Sequence, residues 1–176
     1  IGILLVYKNA KLQNTNSVKF KEFIDNQSSI GISVIGAGNY SKRILMPILS
    51  KKNINFQTVF SRNGLDSTLL ARKFNFRGSS TDTDKVWNDS ETNTLFILTR
   101  HNTHAEFIIK GLKNKKNIFV EKPICTTEKQ LEDIAKAYKE SRSDDGKGPV
   151  LMVGFNRRFS SLTQLLKKDL MKINSP

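Results

Sequence analysis

Gly36-Ala37-Gly38-Asn39-Tyr40-Ser41 sits between an apolar run, residues 30–35, and a helical pattern. A glycine-rich turn between a strand and a helix lets the backbone approach a diphosphate, and the helix N-terminus offers free N–H groups and a favourable dipole. Gly36, Gly38, Asn39 and Tyr40 are therefore candidate dinucleotide-binding residues. The third glycine of the usual GxGxxG is replaced by Ser41, a small residue that still permits close strand–helix packing. A tight turn without a ligand is the alternative. The Walker pattern GxxxxGK[ST] does not occur here, so the segment is not a Walker loop.

Further candidates lie at other strand ends. Val59-Phe60-Ser61-Arg62 closes a second apolar run, and no carboxylate follows until Asp66. An NAD-selective site often places Asp or Glu there to hold the ribose, whereas a hydroxyl plus a guanidinium suits a 2′-phosphate. Ser61 and Arg62 thus favour NADP over NAD, unless Arg62 is simply a solvated loop residue. Thr99 to His104 leaves a third strand and enters a helix, so Thr99, Asn102 and His104 are candidates for the nicotinamide side of a cleft. His104 reads equally well as a first-turn helix residue, and nothing positions it as a general base. Glu121-Lys122-Pro123 ends a fourth strand, where ligands bind in open α/β sheets. Lys122 has the chemistry to hydrogen-bond a substrate hydroxyl or a cofactor ribose, although one lysine taken alone is surface decoration.

Positioning these groups requires a scaffold of alternating strands and helices. Strands are expected over 30–35, 56–60, 94–98, 117–121 and 150–154, as continuous apolar runs. Helices are expected over about 40–50, 66–74, 83–89, 103–112, 127–138 and 162–171. Asp66 is a candidate N-cap, and Thr103…Glu106 and Thr127…Gln130 have capping-box spacing. Pro47 falls deep enough in its helix to kink it. The pattern predicts an α/β Rossmann fold: a doubly wound parallel sheet covered on both faces. The run 1–7 reads as a strand and 8–29 as a linker or peripheral arm, with a weak helical patch at 20–24.

Composition narrows the class. The chain has 176 residues, 38% hydrophobic and 26% charged, which suits one globular domain. The net charge of +13 comes from lysines spread along the chain, without aromatic interleaving. It reads as a solvated surface, and nucleic acid is not an expected partner. No apolar run reaches the roughly 18 residues of a membrane span, so no membrane partner is expected. The single cysteine, Cys125, excludes an internal disulfide, and no Cys/His cluster marks a metal site. Cys125 is expected to be packed, and a cytoplasmic setting fits.

Together, GISVIGAGNYSK, VFSR, LARKFNF, FILTRHNTHAE, IFVEKPICTTEKQLEDI and VGFNRRFS resemble, in order, the glucose–fructose oxidoreductase / inositol dehydrogenase / rhizopine-catabolism (Gfo/Idh/MocA) family over residues 30–160. The resemblance implies an N-terminal Rossmann domain that binds NADP or NAD, and a C-terminal domain that carries substrate contacts and the acid/base histidine. It implies that Lys122 touches both substrate and cofactor as the candidate catalytic residue, that Glu121 and Pro123 shape the turn, and that Glu121 and Arg158 belong to the cofactor side. The substrate class it implies is a sugar or polyol, with oligomerisation through the C-terminal domain. The expected organisation is a strand and linker from a preceding domain at 1–29, the Rossmann domain at 30–155, and at 156–176 a connection to a C-terminal domain that this fragment lacks. Its start at Ile1 and its end at Pro176 fit a segment of a longer protein, which alone is expected to turn over poorly. IGILLVYK is similar to the terminal strand of zinc-type alcohol dehydrogenases, which suggests such a domain before this one. A non-catalytic dinucleotide-sensing module is the alternative function.

Overall fold

Glycine and branched apolar residues over Gly31–Ile35 make a strand that is buried at every position. It is the centre of a computed structural model that describes residues 15–20 and 30–172. Seven strands form one sheet: β1 (Ser17–Lys19), β2 (Gly31–Ile35), β3 (Asn55–Phe60), β4 (Gly78–Ser80), β5 (Thr94–Ile97), β6 (Asn117–Glu121) and β7 (Leu151–Gly154). The spatial order is β1-β4-β3-β2-β5-β6-β7. All pairings are parallel except β1 with β4. The strand order reverses direction at β2, so the loops after β2 and β5 diverge and open a crevice at their carboxyl ends.

Helices α1 (Met46–Leu49) and α2 (Gly64–Lys73) cover one face, where Met46, Leu70 and Ala71 pack on Ile32, Val34 and Val59. Helices α3 (Asp84–Trp87), α4 (His104–Lys113) and α5 (Glu128–Glu140) cover the other, where Ile108, Leu112 and Ile134 pack on Leu95, Ile97, Ile118 and Val120. Gly111 lets α4 settle on the sheet, since a Cβ there would stand 2.9 Å from Ile118 Cδ1. The last helix, α6 (Ser161–Leu170), has no buried residue.

Several expectations need correcting. Burial on both faces holds for β2 and nearly so for β3, but β5 and β6 alternate buried and half-buried residues, because no described helix covers the Phe96–Phe119 side of β6 and β7. Part of the 8–29 stretch is an ordered edge strand: Ser17–Lys19 pairs with β4, and Phe20 packs on the core beneath the Arg72 guanidinium, while the rest of the patch expected at 20–24 lies outside the described residues. The strand expected at 1–7 lies outside the described residues. Pro47 lies inside a continuous helical stretch, 39–49, directly after a π-helical turn at Ser41–Leu45 that interrupts the regular i→i−4 ladder.

Asn63, not Asp66, caps α2, accepting from Leu65 N–H at 3.1 Å. Thr103 makes no cap, since its hydroxyl donates to Arg100 O. Thr127 does accept from Gln130 N–H, but the Gln130 side chain returns to Thr126 rather than Thr127. On α5 the buried residues are Ile134 and Ala137, while Leu131 and Ala135 are exposed. No described helix is long and apolar enough to cross a membrane.

Candidate functional site

The turn after β2 is shaped by Gly36. Its φ of 113° lies in a region that L side chains avoid, and a Cβ would stand 2.6 Å from the Leu98 carbonyl oxygen. Its N–H donates to Phe60 O at 2.8 Å, which ties the turn to β3. Ser41 is fully buried and its hydroxyl donates to Gly36 O at 2.6 Å. The residue in the third glycine's place thus holds the turn as well as allowing close packing. Gly38 differs, because a Cβ there would meet no protein atom within 4 Å. The protein's own packing does not require glycine at 38. The bare backbone leaves room for a group entering from outside, as a diphosphate would.

Over this turn lies an open cleft of about 520 Å³. It brings together six of the expected residues: Gly36, Gly38, Ser61, Arg62, Thr99 and Asn102. Arg62 is exposed at the carboxyl end of β3. Asn63 and Asp66 also line this end, and Phe107 lines the cleft from α4. At the other end the Thr103 hydroxyl donates to Arg100 O, so its 2.7 Å partner Thr99 Oγ1 donates to it. The lone pairs of Thr99 stay available to a ligand. The donor-rich turn, the open Gly38 and the guanidinium fit a dinucleotide. Among the described residues no group of three His, Cys, Asp or Glu side chains gathers to hold a metal.

The other expected residues lie outside the cleft lining. His104 is fully buried, with Nδ1 2.7 Å from Pro123 O and Nε2 3.1 Å from Thr99 O. It bridges the loop after β5 to the turn after β6 and offers no free atom to a ligand. The reading as a first-turn helix residue is the one the structure favours. Lys122 is exposed, next to a cis peptide bond to Pro123. Cys125 is partly buried and packed against the core. Asn39 is exposed at the start of the helical segment, and the Arg158 guanidinium rests 4.8 Å over the Phe159 ring.

Tyr40 and Glu121 belong to a cluster that spacing alone could not show. Asn156 Nδ2 donates to Glu121 Oε1 at 2.8 Å and to Tyr40 Oη at 3.1 Å. Burial pushes the Tyr40 phenol above its usual 10.0, and the adjacent Glu121 carboxylate, which accepts from it, adds to the shift. The glycine turn, the end of β6 and the segment after β7 are thereby joined.

This sheet order and this cleft define a Rossmann-type dinucleotide-binding domain. The model of the GFO_IDH_MocA oxidoreductase family, NAD-binding Rossmann fold, matches residues 30–145, and the chain belongs to that family. The chain is similar to scyllo-inositol 2-dehydrogenase (NAD(+)) of Bacillus subtilis (strain 168), at 33% identity over 90 residues, covering 51% of this chain and 25% of that protein. Levoglucosan dehydrogenase of Pseudarthrobacter phenanthrenivorans is 32% identical over 98 residues, covering 56% of this chain and 24% of that protein. Among solved structures, myo-inositol dehydrogenase from Lactobacillus casei in complex with NAD(H) and myo-inositol gives a TM-score of 0.72 at 22% identity, covering 82% of this chain and 42% of that one. At that identity the likeness speaks for the fold. The chain thus spans about two fifths of that solved relative and aligns with about a quarter of the two curated proteins.

Proposed function

We propose that this chain is the cofactor-binding part of an NAD(P)-dependent oxidoreductase. The parent enzyme moves hydride between the nicotinamide and a hydroxyl-bearing carbon of a sugar or cyclitol. The observation that carries this reading is the open cleft over the Gly36–Gly38 turn, at the carboxyl ends of β2, β3 and β5. The inositol and levoglucosan dehydrogenases among its relatives support the substrate class.

In this reading, the Gly36–Gly38 backbone and the helix start beyond it, with Asn39 and Tyr40, receive the diphosphate. Ser61 and Arg62 receive the adenosine ribose and favour NADP over NAD. Thr99 and Asn102 flank the nicotinamide end. His104 and Glu121 act through others, one fixing the Lys122–Pro123 turn and the other anchored by Tyr40 and Asn156. Lys122 places its ammonium against the substrate hydroxyl and the cofactor, with Arg158 beyond it. The nicotinamide supplies the hydride chemistry when bound. A further domain, past residue 155, supplies the remaining substrate contacts, the acid/base histidine and an oligomer interface. The lone Cys125 suits a cytoplasmic setting.

The test is turnover by the longer protein, offered NADP and then NAD with a panel of sugars and cyclitols. Cofactor reduction is expected with at least one of them, and Lys122→Met lowers it by on the order of 100-fold. A protein that binds cofactor yet oxidises none of the panel is a sensing module instead.

A further inference from the structure

We propose that Lys42 is a specificity-determining residue of this cleft. It is a second cation, held at the ribose end by Asp66, that favours a 2′-phosphate over a free ribose hydroxyl. The proposal rests on the reading of the cleft as a dinucleotide site.

Among the described residues, Asp66 is the one carboxylate in the cleft lining. A carboxylate that selects NAD must turn its oxygens to the ribose hydroxyls. Both oxygens of Asp66 are already engaged. Oδ1 accepts from Lys42 Nζ at 2.5 Å and Oδ2 accepts from Asn63 Nδ2 at 2.9 Å. Asn63 is itself fixed, because its Oδ1 caps α2. Asp66 is thus an anchor for a lysine.

Lys42 is anchored at its other end too, where its N–H donates to Gly38 O at 3.0 Å. Its ammonium therefore reaches from the glycine turn to the first turn of α2, where its partner Asp66 lines the cleft with Ser61 and Arg62. The pair is only partly withdrawn from water, with the side chains of Lys42 and Asp66 32% and 39% exposed, so the ammonium can be shared with an incoming anion. Arg62 and Lys42 set two cations against one carboxylate, which leaves this end of the cleft net positive. A phosphate dianion gains from that balance, and a neutral hydroxyl gains little.

The experiment is calorimetric titration of this chain with NADPH and NADH at two salt concentrations. Lys42→Met should weaken NADPH binding about tenfold, the value of one charged hydrogen bond, and leave NADH within about twofold. Its NADPH binding should also depend less on salt. Lys42→Arg should retain the preference, and an unchanged melting temperature for both variants excludes a folding defect. Asp66→Asn should tighten NADPH binding and leave NADH unmoved. Equal effects of Lys42→Met on both cofactors, or none, overturn the proposal. A loss of NADH affinity in Asp66→Asn overturns it as well, because it assigns Asp66 to the ribose. If the wild-type chain binds neither cofactor, the reading of the cleft itself fails and takes the Lys42 role with it.

Discussion

Strand β2 is buried along its whole length, whereas β7 is only partly buried and α6 lies open. Ile32, Val34 and Ile35 are at most 3% exposed, while Leu162, Leu165, Leu166 and Leu170 on α6 are 56% to 80% exposed. Both regions carry apolar residues at the spacing of their element. The difference is what stands opposite. The centre of the sheet has helices on each face, and these also hold the glycine turn and the β3 end in place. On the side of Phe119 and Met152, and around α6, no described element closes the surface. Apolar periodicity states that an element has a face to bury; it does not state that the burial occurs within the same segment.

Mutations can break or sharpen this contrast. Leu112→Ala, at a fully buried position on α4, should cost about 2–5 kcal/mol in denaturant unfolding. Gly36→Ala should cost about 2–3 kcal/mol from the forced φ and the clash with the Leu98 carbonyl, and cofactor binding should fall with it. His104→Ala removes the buried imidazole that sits between the Thr99 and Pro123 carbonyls, together with its hydrogen bond, and about 2 kcal/mol should be lost. Ser41→Ala removes one buried hydrogen bond to the glycine turn and should cost about 1 kcal/mol. Leu165→Ala on α6 should stay within about 0.5 kcal/mol. A Leu165 cost near that of Leu112 would erase the contrast.

The same contrast governs what could be read from the sequence. The strand–glycine–helix unit at 30–50 and helix α4 were legible because local pattern and final burial agree there, and the strands at 94–97 and 117–121 and helix α5 were legible as elements although their burial differs from the pattern. Strand β4 was not, because Gly78-Ser79-Ser80 has no apolar signal and becomes a strand only by pairing with β3 and β1. Of the cleft residues, those next to a strand end were legible. Phe107 and Asp66 were not assigned to the cleft, because helices bring them there. The Tyr40–Glu121–Asn156 cluster joins positions up to 116 apart, which no spacing argument reaches. His104 was ambiguous for a different reason, since a buried bridging imidazole and a ligand-facing one look identical in a sequence.

Amide hydrogen exchange on this chain, with and without saturating NADPH, tests the central claim most directly. The account predicts slower exchange at 36–42, 61–66 and 99–103, with α6 unchanged over 161–170. No protection at the glycine turn, or protection confined to α6, would contradict it.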